Sequence, residues 1–199
     1  NRTGAILTSQ PINIGVNLAL NNAVLSGRAL LQTTAGKEIG RGQFRIAPLA
    51  GEGLNKARFG AQNAPSFGAS LKQNLLQQIT SAPLFAQLRY NGPADVIWRM
   101  SRVETIDLSG PIAIAADIKG SYANPILQGA VRSDNLRLES AASGTIITNI
   151  KAQGRFVNEI LEIQGFAGTS PNGGKISGKA RFNLSQADNY PMTISAKLE

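Results

Sequence analysis

The residues that could carry out chemistry are few, and their spacing does not assemble a catalytic site. The segment GTSPNGGKIS, residues 168–177, has the glycines and the lysine of a phosphate-binding loop. Counted from Gly168, however, the position that should be lysine is Gly174, and Lys175 is followed by isoleucine rather than by serine or threonine. An Asn-Gly pair between alternating segments is typical of a β-hairpin turn, which we predict here.

The chain lacks the residue types on which acid–base and nucleophilic catalysis usually depend. The chain contains no histidine and no cysteine, so no imidazole can activate a serine and no thiolate can attack a substrate or bind a metal. A carboxylate pair of the kind that glycosidases use remains open in principle. Asp107 and Asp117, however, alternate with apolar residues on what we expect to be an outer face, and aromatic residues make up only 6%. We therefore predict that the protein is not an enzyme and uses no cofactor or metal.

The chain is basic, with 20 Lys and Arg against 12 Asp and Glu and a formal net charge of +8. These basic residues are mostly scattered singly rather than clustered between aromatics, so we expect no nucleic-acid partner. We interpret the charge as a solvated face of the fold, and attraction to anionic lipid headgroups is the functional alternative. No window of about 20 apolar residues is present that could span a membrane as a helix.

Apolar and polar residues alternate with a period of two along most of the chain, as in TIDLSGPIAIAADIKG at 105–120. Because successive side chains of a strand point to opposite faces, each such segment predicts a strand with one dry and one wet face. Turn signals separate the segments at Asn21-Asn22, Ala35-Gly36-Lys37, Asn158-Glu159 and Asn172-Gly173. We predict a mostly β fold, a long antiparallel sheet, with residues 1–199 forming a single segment of a longer protein.

Two helices are expected to interrupt the strands. Residues 70–81 carry a Ser70–Gln73 capping box and an apolar stripe at helical spacing, formed by Leu71, Leu75, Leu76 and Ile79. We predict that this amphipathic helix lies in or over an apolar groove as a lid. Packing against the outside or end of the sheet is the first alternative, and binding to a membrane surface is the second, which the single basic residue Lys72 disfavours. A second, short helix is predicted over 93–100, with Pro93 at its first position.

The apolar face that these alternating segments share must be shielded from water, either by other protein or by a ligand. A second sheet or helix would make it the core of a sandwich, whereas an apolar ligand would make it an open groove. Glycines at 110, 120, 154 and 178 lie in the apolar register, and they favour a sharply curled, U-shaped sheet over a flat core. We predict that a lipid path is lined by Ile106, Leu108, Ile112, Ile114, Ile118, Ile150, Phe156, Leu161, Ile163, Ile176, Phe182 and Leu184.

The wet faces should hold the cations, because burying an unpaired charge costs several kcal/mol. We predict that seven basic side chains point away from the apolar groove: Arg132, Arg137, Lys151, Arg155, Lys175, Lys179 and Arg181.

Several motifs carry a resemblance to a known family. They are GSYANPILQG at 120–129, GRF at 154–156, LEI at 161–163, FAG at 166–168 and GGKISG at 173–178. Their order and spacing, from about Gly110 to Leu184, resemble the C-terminal region of the TamB family, the inner-membrane component of the translocation and assembly module. Upstream the match is looser, and consists mainly of the alternation and of GPADVIWRM at 92–100.

The resemblance implies a fold, a function and partners. TamB proteins are AsmA-like, related to the bridge-like lipid transfer proteins, so the expected fold is a β-taco, a sheet folded lengthwise into a U with an apolar concave groove. The expected function is transport of phospholipid through the periplasm of a Gram-negative bacterium, in a protein anchored in the inner membrane. The expected partner is a TamA-like, Omp85-type outer-membrane barrel, contacted through parts outside this chain.

Three functions stay open at this point. The first is a lipid-conducting groove. The second is a chaperone or scaffold that offers sheet edges to outer-membrane β-barrel proteins or autotransporters during their assembly. The third is an ordinary structural β-solenoid or adhesin piece.

Overall fold

The computed structural model describes residues 11–22, 24–46, 81–100, 106–121, 123–141, 143–184 and 191–199. In these ranges the chain forms one helix, α1 (Ala94–Met100), and a series of strands. The strands are β1 (Ile12–Asn21), β2 (Val24–Thr33), β3 (Glu38–Ile46), β4 (Leu84–Pro93), β5 (Ile106–Ser109), β6 (Pro111–Gly120), β7 (Pro125–Ser140), β8 (Ile146–Val157), β9 (Ile160–Thr169), β10 (Lys175–Asn183) and β11 (Met192–Leu198).

All of these strands belong to one open, antiparallel sheet. Its order is β1-β2-β3-β4-β6-β7-β8-β9-β10-β11, and β5 pairs with β7 outside this path. Among the described strands, neighbours in the sheet follow one another along the chain, apart from β5, which comes between β4 and β6. The expected fold class, a mostly β chain built on one long antiparallel sheet with few helices, is confirmed.

The four predicted turn signals all lie at strand junctions. Asn22 and Asn158 adopt positive φ angles of 48° and 55° between β1 and β2 and between β8 and β9. Gly36 and Gly173 do the same between β2 and β3 and between β9 and β10, with φ of 79° and 87°. Asparagine and glycine are the residues that best tolerate this left-handed conformation, and they set the register of each hairpin.

The sequence run from Ile106 to Gly120 is not one strand, because Gly110 divides it. Gly110 has φ of 104°, and a side chain there would run into the carbonyl oxygen of Asn135. β6 pairs with the first half of β7, through Ala113–Gly120, and β5 pairs with its second half, Arg137–Ser140. The apolar register continues across the break, but the strand bends.

α1 fills the space beside β5, where β4 has ended. Pro93 is the last residue of β4 rather than the first of the helix, and Asp95 lies in the first helical turn, where a carboxylate favours the helix dipole. Ala94 N–H donates 2.7 Å to the carbonyl oxygen of Gly110, and Trp98 Nε1 donates 2.6 Å to that of Ile106. The predicted helix over 70–81 falls almost entirely outside the described residues.

The two faces of the sheet differ in exposure. Along β6, β7, β8 and β10, positions in the register of Ile112 are mostly half-buried or buried, whereas the alternate positions are mostly exposed. The described strands form a single sheet, so no second sheet accounts for this burial. α1 adds to the burial of the face of Ile112. The asymmetry is consistent with a curled sheet that has this face on the concave side.

Candidate functional site

An unbroken row of small and apolar residues crosses ten strands. Residues paired directly across an antiparallel ladder lie on the same face, so the pairings can be followed from one edge of the sheet to the other. The row reads Val16, Ala29, Gly42, Leu88, Ala116, Gly129, Phe156, Leu161, Phe182 and Met192. Nine inter-strand gaps of about 4.8 Å make it about 43 Å long.

We call the face that contains this row the apolar face, and its opposite the polar face. In the described strands no Asp, Glu, Lys or Arg lies in the register of the apolar face. The chain has a net charge of +8, and the charged residues of its described strands lie on the polar face. The apolar face is therefore an uninterrupted surface without formal charge.

The few polar groups on the apolar face are satisfied internally. Tyr90 is 3% exposed, and its hydroxyl donates 2.6 Å to the carbonyl oxygen of Pro93. Burial, with a smaller contribution from Asp95, raises the pKa of Tyr90 to about 12, so the phenol is neutral. Ser133 is also buried, and its hydroxyl donates 2.6 Å to the carbonyl oxygen of Pro111. Neither group is left to attract water onto the face.

The sequence-predicted lining residues come together on this face, with one exception. The eleven residues from Ile106 to Phe182 in that set lie in strands, in the register of the apolar face. Leu184 instead follows the end of β10, is 41% exposed, and lies outside the ladder. The strand stops at Asn183, so Leu184 is not one of the strand residues of the apolar face. The predicted lid residues Leu71, Leu75, Leu76 and Ile79 lie outside the described residues.

Several residues of the apolar face were not in the predicted set. Some of them pair directly with residues of the predicted lining or lie beside them: Leu88, Tyr90, Leu127 and Val131. The N-terminal strands add a further group: Ile14, Val16, Leu18, Leu20 and Phe44. The same period-2 alternation marks all of these segments. The predicted set missed them because it was restricted to the run at 106–118 and to segments after Ile150.

α1 packs onto the apolar face beside β5, several residues along the strands from the row. Ala94 is 1% exposed and clusters with Leu136 and Ile150, against which Leu108 and Ile112 also pack. A second, smaller cluster joins Ile46 and Ala82. Elsewhere on the described part of this face, Tyr90, Ala116, Val131 and Ser133 are buried, and most other side chains are half-buried or exposed. The helix thus covers one end of the apolar face, away from the row.

Glycine allows close packing within the concave surface. A side chain at Gly154 would meet the carbonyl oxygen of Glu162 on β9 at 2.7 Å. The ladder between β8 and β9 shifts register at this residue, as does that between β9 and β10 after Gly178. β-Bulges increase local twist and bend the strand. These predicted glycines therefore lie where the sheet bends.

The polar face carries the cations that the sequence predicted to point outward. All seven, from Arg132 to Arg181, occupy the register opposite to the apolar face. Six of them are exposed and Arg137 is half-buried. Arg155 pairs with Glu162 at 2.9 Å and Arg137 with Glu139 at 3.0 Å. This orientation is confirmed.

The two edge strands expose the apolar face most. On β1, Ile14, Val16, Leu18 and Leu20 are 58–63% exposed. On β11, Met192 and Ile194 are just over half exposed and Leu198 is 78% exposed. In the described residues each of these strands has a partner on one side only. The apolar face is therefore open at both ends of the row.

No family model, curated protein or solved structure matches this chain. The TamB resemblance accordingly stays a prediction from the sequence. The described residues contain no helix with the length and hydropathy needed to cross a membrane.

Proposed function

We propose that this chain is a lipid-conducting segment of a TamB-like protein of the periplasm, in which phospholipid acyl chains slide along the apolar face. One observation carries the proposal: an uncharged concave surface about 43 Å long crosses ten strands. Burial of a 16-carbon acyl chain is worth about 12 kcal/mol, at about 0.8 kcal/mol per methylene. That is ample to hold a lipid without specific polar contacts.

The open shape of the sheet fits an amphipathic cargo. A charged headgroup is costly to remove from water, so it should stay outside while the tails occupy the concave side. An open sheet, unlike a closed barrel, leaves a seam along which the headgroup can travel. Because both edge strands leave the row exposed, we propose that the segment is one part of a longer path between the inner and outer membranes.

The proposal is tested by identifying what the protein carries. We expect phospholipid in native mass spectra of protein gently purified from a Gram-negative host. Ile114→Asp places a carboxylate on the apolar face, at a cost of about 2.5–3.5 kcal/mol in hydrocarbon, so the affinity for lipid should fall about a hundredfold and less lipid should remain bound after purification. The control is Ser177→Asp, at an exposed position of the polar face on β10, which should keep its lipid. Wild-type protein without lipid, or equal loading of the two variants, would contradict the proposal.

A second candidate function rests on the sheet edges. β1 and β11 present exposed apolar side chains together with backbone groups that no described strand pairs. Exposed edges are templates for strand addition. They therefore favour a chaperone or scaffold for outer-membrane β-barrel or autotransporter assembly, with a TamA-like barrel as partner. Capture of an unfolded barrel strand by lipid-free protein would select this function over the first.

A further inference from the structure

A hollow on the polar face, on the other side of the sheet from the apolar row, brings three arginines together. It has a volume of about 400 Å³ and crosses β3, β4, β6 and β7. Arg41 on β3 is paired directly with Arg89 on β4. Arg132 on β7 belongs to the neighbouring row, opposite Ala113.

The direct pairing of Arg41 with Arg89 is unfavourable by itself. Like charges that face each other across a ladder destabilise a sheet. Arg89 is partly relieved by Asp117, at 2.8 Å, and its Nη1 also donates to the carbonyl oxygens of Leu88 and Ala116. Arg89 is thus held in place over β6. Arg41 has no such anchor among the described residues: its ion pair with Glu38 is a single contact of 3.4 Å, with the arginine side chain 73% exposed.

The floor of the hollow is made of methyl groups. Arg89 pairs with Ala115, which pairs with Ala130, and the adjacent row runs from Asn91 through Ala113 to Arg132. Three alanines in a block leave room above the sheet that longer side chains would fill. Arg132 is 72% exposed, and its contacts with Asp134 on the same strand are 3.3 Å long. Exposed ion pairs of this kind contribute little, so a stronger anion can displace them.

We propose that this hollow binds a phosphate group, with Arg41 and Arg132 closing on it from opposite sides and Arg89 supplying a fixed positive charge. Guanidinium groups match phosphate oxygens in paired hydrogen bonds, which a lysine cannot reproduce. The Asn91 amide, at the rim, offers a further donor. The phosphate can belong to a lipid headgroup at a membrane surface or to a soluble phosphate or phosphoester. The proposal does not depend on lipid passage along the opposite face.

The first arm of the test titrates inorganic phosphate into the protein carrying ¹³C-labelled alanine methyl groups. We expect the NMR signals of Ala113, Ala115 and Ala130 to shift. Arg41→Gln with Arg132→Gln should weaken phosphate binding at least tenfold. The matched control, Lys179→Gln with Arg181→Gln, removes the same charge from exposed positions of the polar face on β10 and should change binding less than twofold.

The second arm distinguishes the sources of the phosphate. Vesicles of phosphatidylglycerol and of phosphatidylcholine are sedimented with the same proteins. If the protein binds the anionic vesicles and the double substitution Arg41→Gln with Arg132→Gln abolishes this binding, the site takes lipid headgroups. If the protein binds inorganic phosphate but no vesicles, the site takes a soluble phosphate. Ala115→Glu, which fills the hollow and retains all three arginines, should abolish binding in either case. The proposal would be overturned if the protein bound neither phosphate nor vesicles. It would also be overturned if the Arg41/Arg132 double variant and the Lys179/Arg181 double variant lost equal amounts of binding.

Discussion

The hydroxyl of Tyr90 donates a 2.6 Å hydrogen bond to the carbonyl oxygen of Pro93, where β4 ends and the chain turns into α1. Tyr90 lies on the apolar face against Gly40 and Gly92. Replacing it with phenylalanine keeps the ring but leaves the carbonyl without this partner. We expect Tyr90→Phe to cost about 1 kcal/mol of unfolding free energy in urea denaturation, and Tyr90→Ala about 3–5 kcal/mol. Equal costs for the two would contradict the assignment of separate roles to the hydroxyl and the ring.

Tyr90 also gives a pH dependence at the alkaline end. Its pKa is raised to about 12 by burial and by Asp95, against 10.0 for an ordinary tyrosine. The folded state therefore keeps its proton where the unfolded state loses it. The stability that this provides is complete below pH 10 and disappears as the pH rises to about 12. Urea unfolding of wild type and Tyr90→Phe should show a smaller decline in this window for the variant. Parallel curves would contradict the assignment.

Gly110 is predicted to tolerate no side chain. Its φ of 104° is strained for other residues, and a methyl group would run into the Asn135 carbonyl oxygen. Gly110→Ala should therefore lower the free energy of unfolding by about 1–3 kcal/mol. Gly165→Ala is the control, since that position has open space around it and lies in a strand. It should be neutral or gain up to about 1 kcal/mol. Equal effects in urea unfolding would show that Gly110 is not a required bend.

The cluster beneath α1 should contribute strongly to stability. Leu136 is 6% exposed and contacts Ala94 and Ile150. Leu136→Ala should cost about 2–5 kcal/mol, because it opens a cavity where the helix meets the sheet. The control is Val157→Ala, at a position 40% exposed, which should change the unfolding free energy by less than about 0.5 kcal/mol. A small effect of Leu136→Ala would mean that α1 does not pack stably on the apolar face.

The alternation along the chain allowed the faces of the sheet to be predicted, since strand side chains alternate whatever the partners are. Ile112 and Ile114 could therefore be placed on one face, and Arg155 and Lys179 on the other. The ends of strands were harder, because they depend on pairing partners distant in sequence. Leu184 continues the alternation of β10 in the sequence, yet the ladder with β9 ends at Asn183.

Contacts across strands could not be predicted from the sequence at all. The division at Gly110 depends on β7 being long enough to pair with β5 and β6 in turn. The arginine hollow depends on Arg41, Arg89 and Arg132 meeting across strands whose order no local pattern specifies. The burial of Tyr90 has the same cause. Local patterns specify which face a residue occupies, and long-range register decides what it meets there.

The central claim, that acyl chains lie on the apolar face, is tested most directly by photo-crosslinking at two consecutive residues of β6. Ile114 pairs with Tyr90 and Val131 on the apolar face, and Ala113 pairs with Asn91 and Arg132 on the polar face. A benzophenone side chain is placed at either position of protein that also carries Arg41→Gln and Arg132→Gln, so that the proposed phosphate hollow brings no lipid to 113. Phospholipid adducts are quantified by mass spectrometry after irradiation in cells. We predict adducts at 114 and none above background at 113. Equal labelling at the two positions, or no lipid at 114, would contradict the claim.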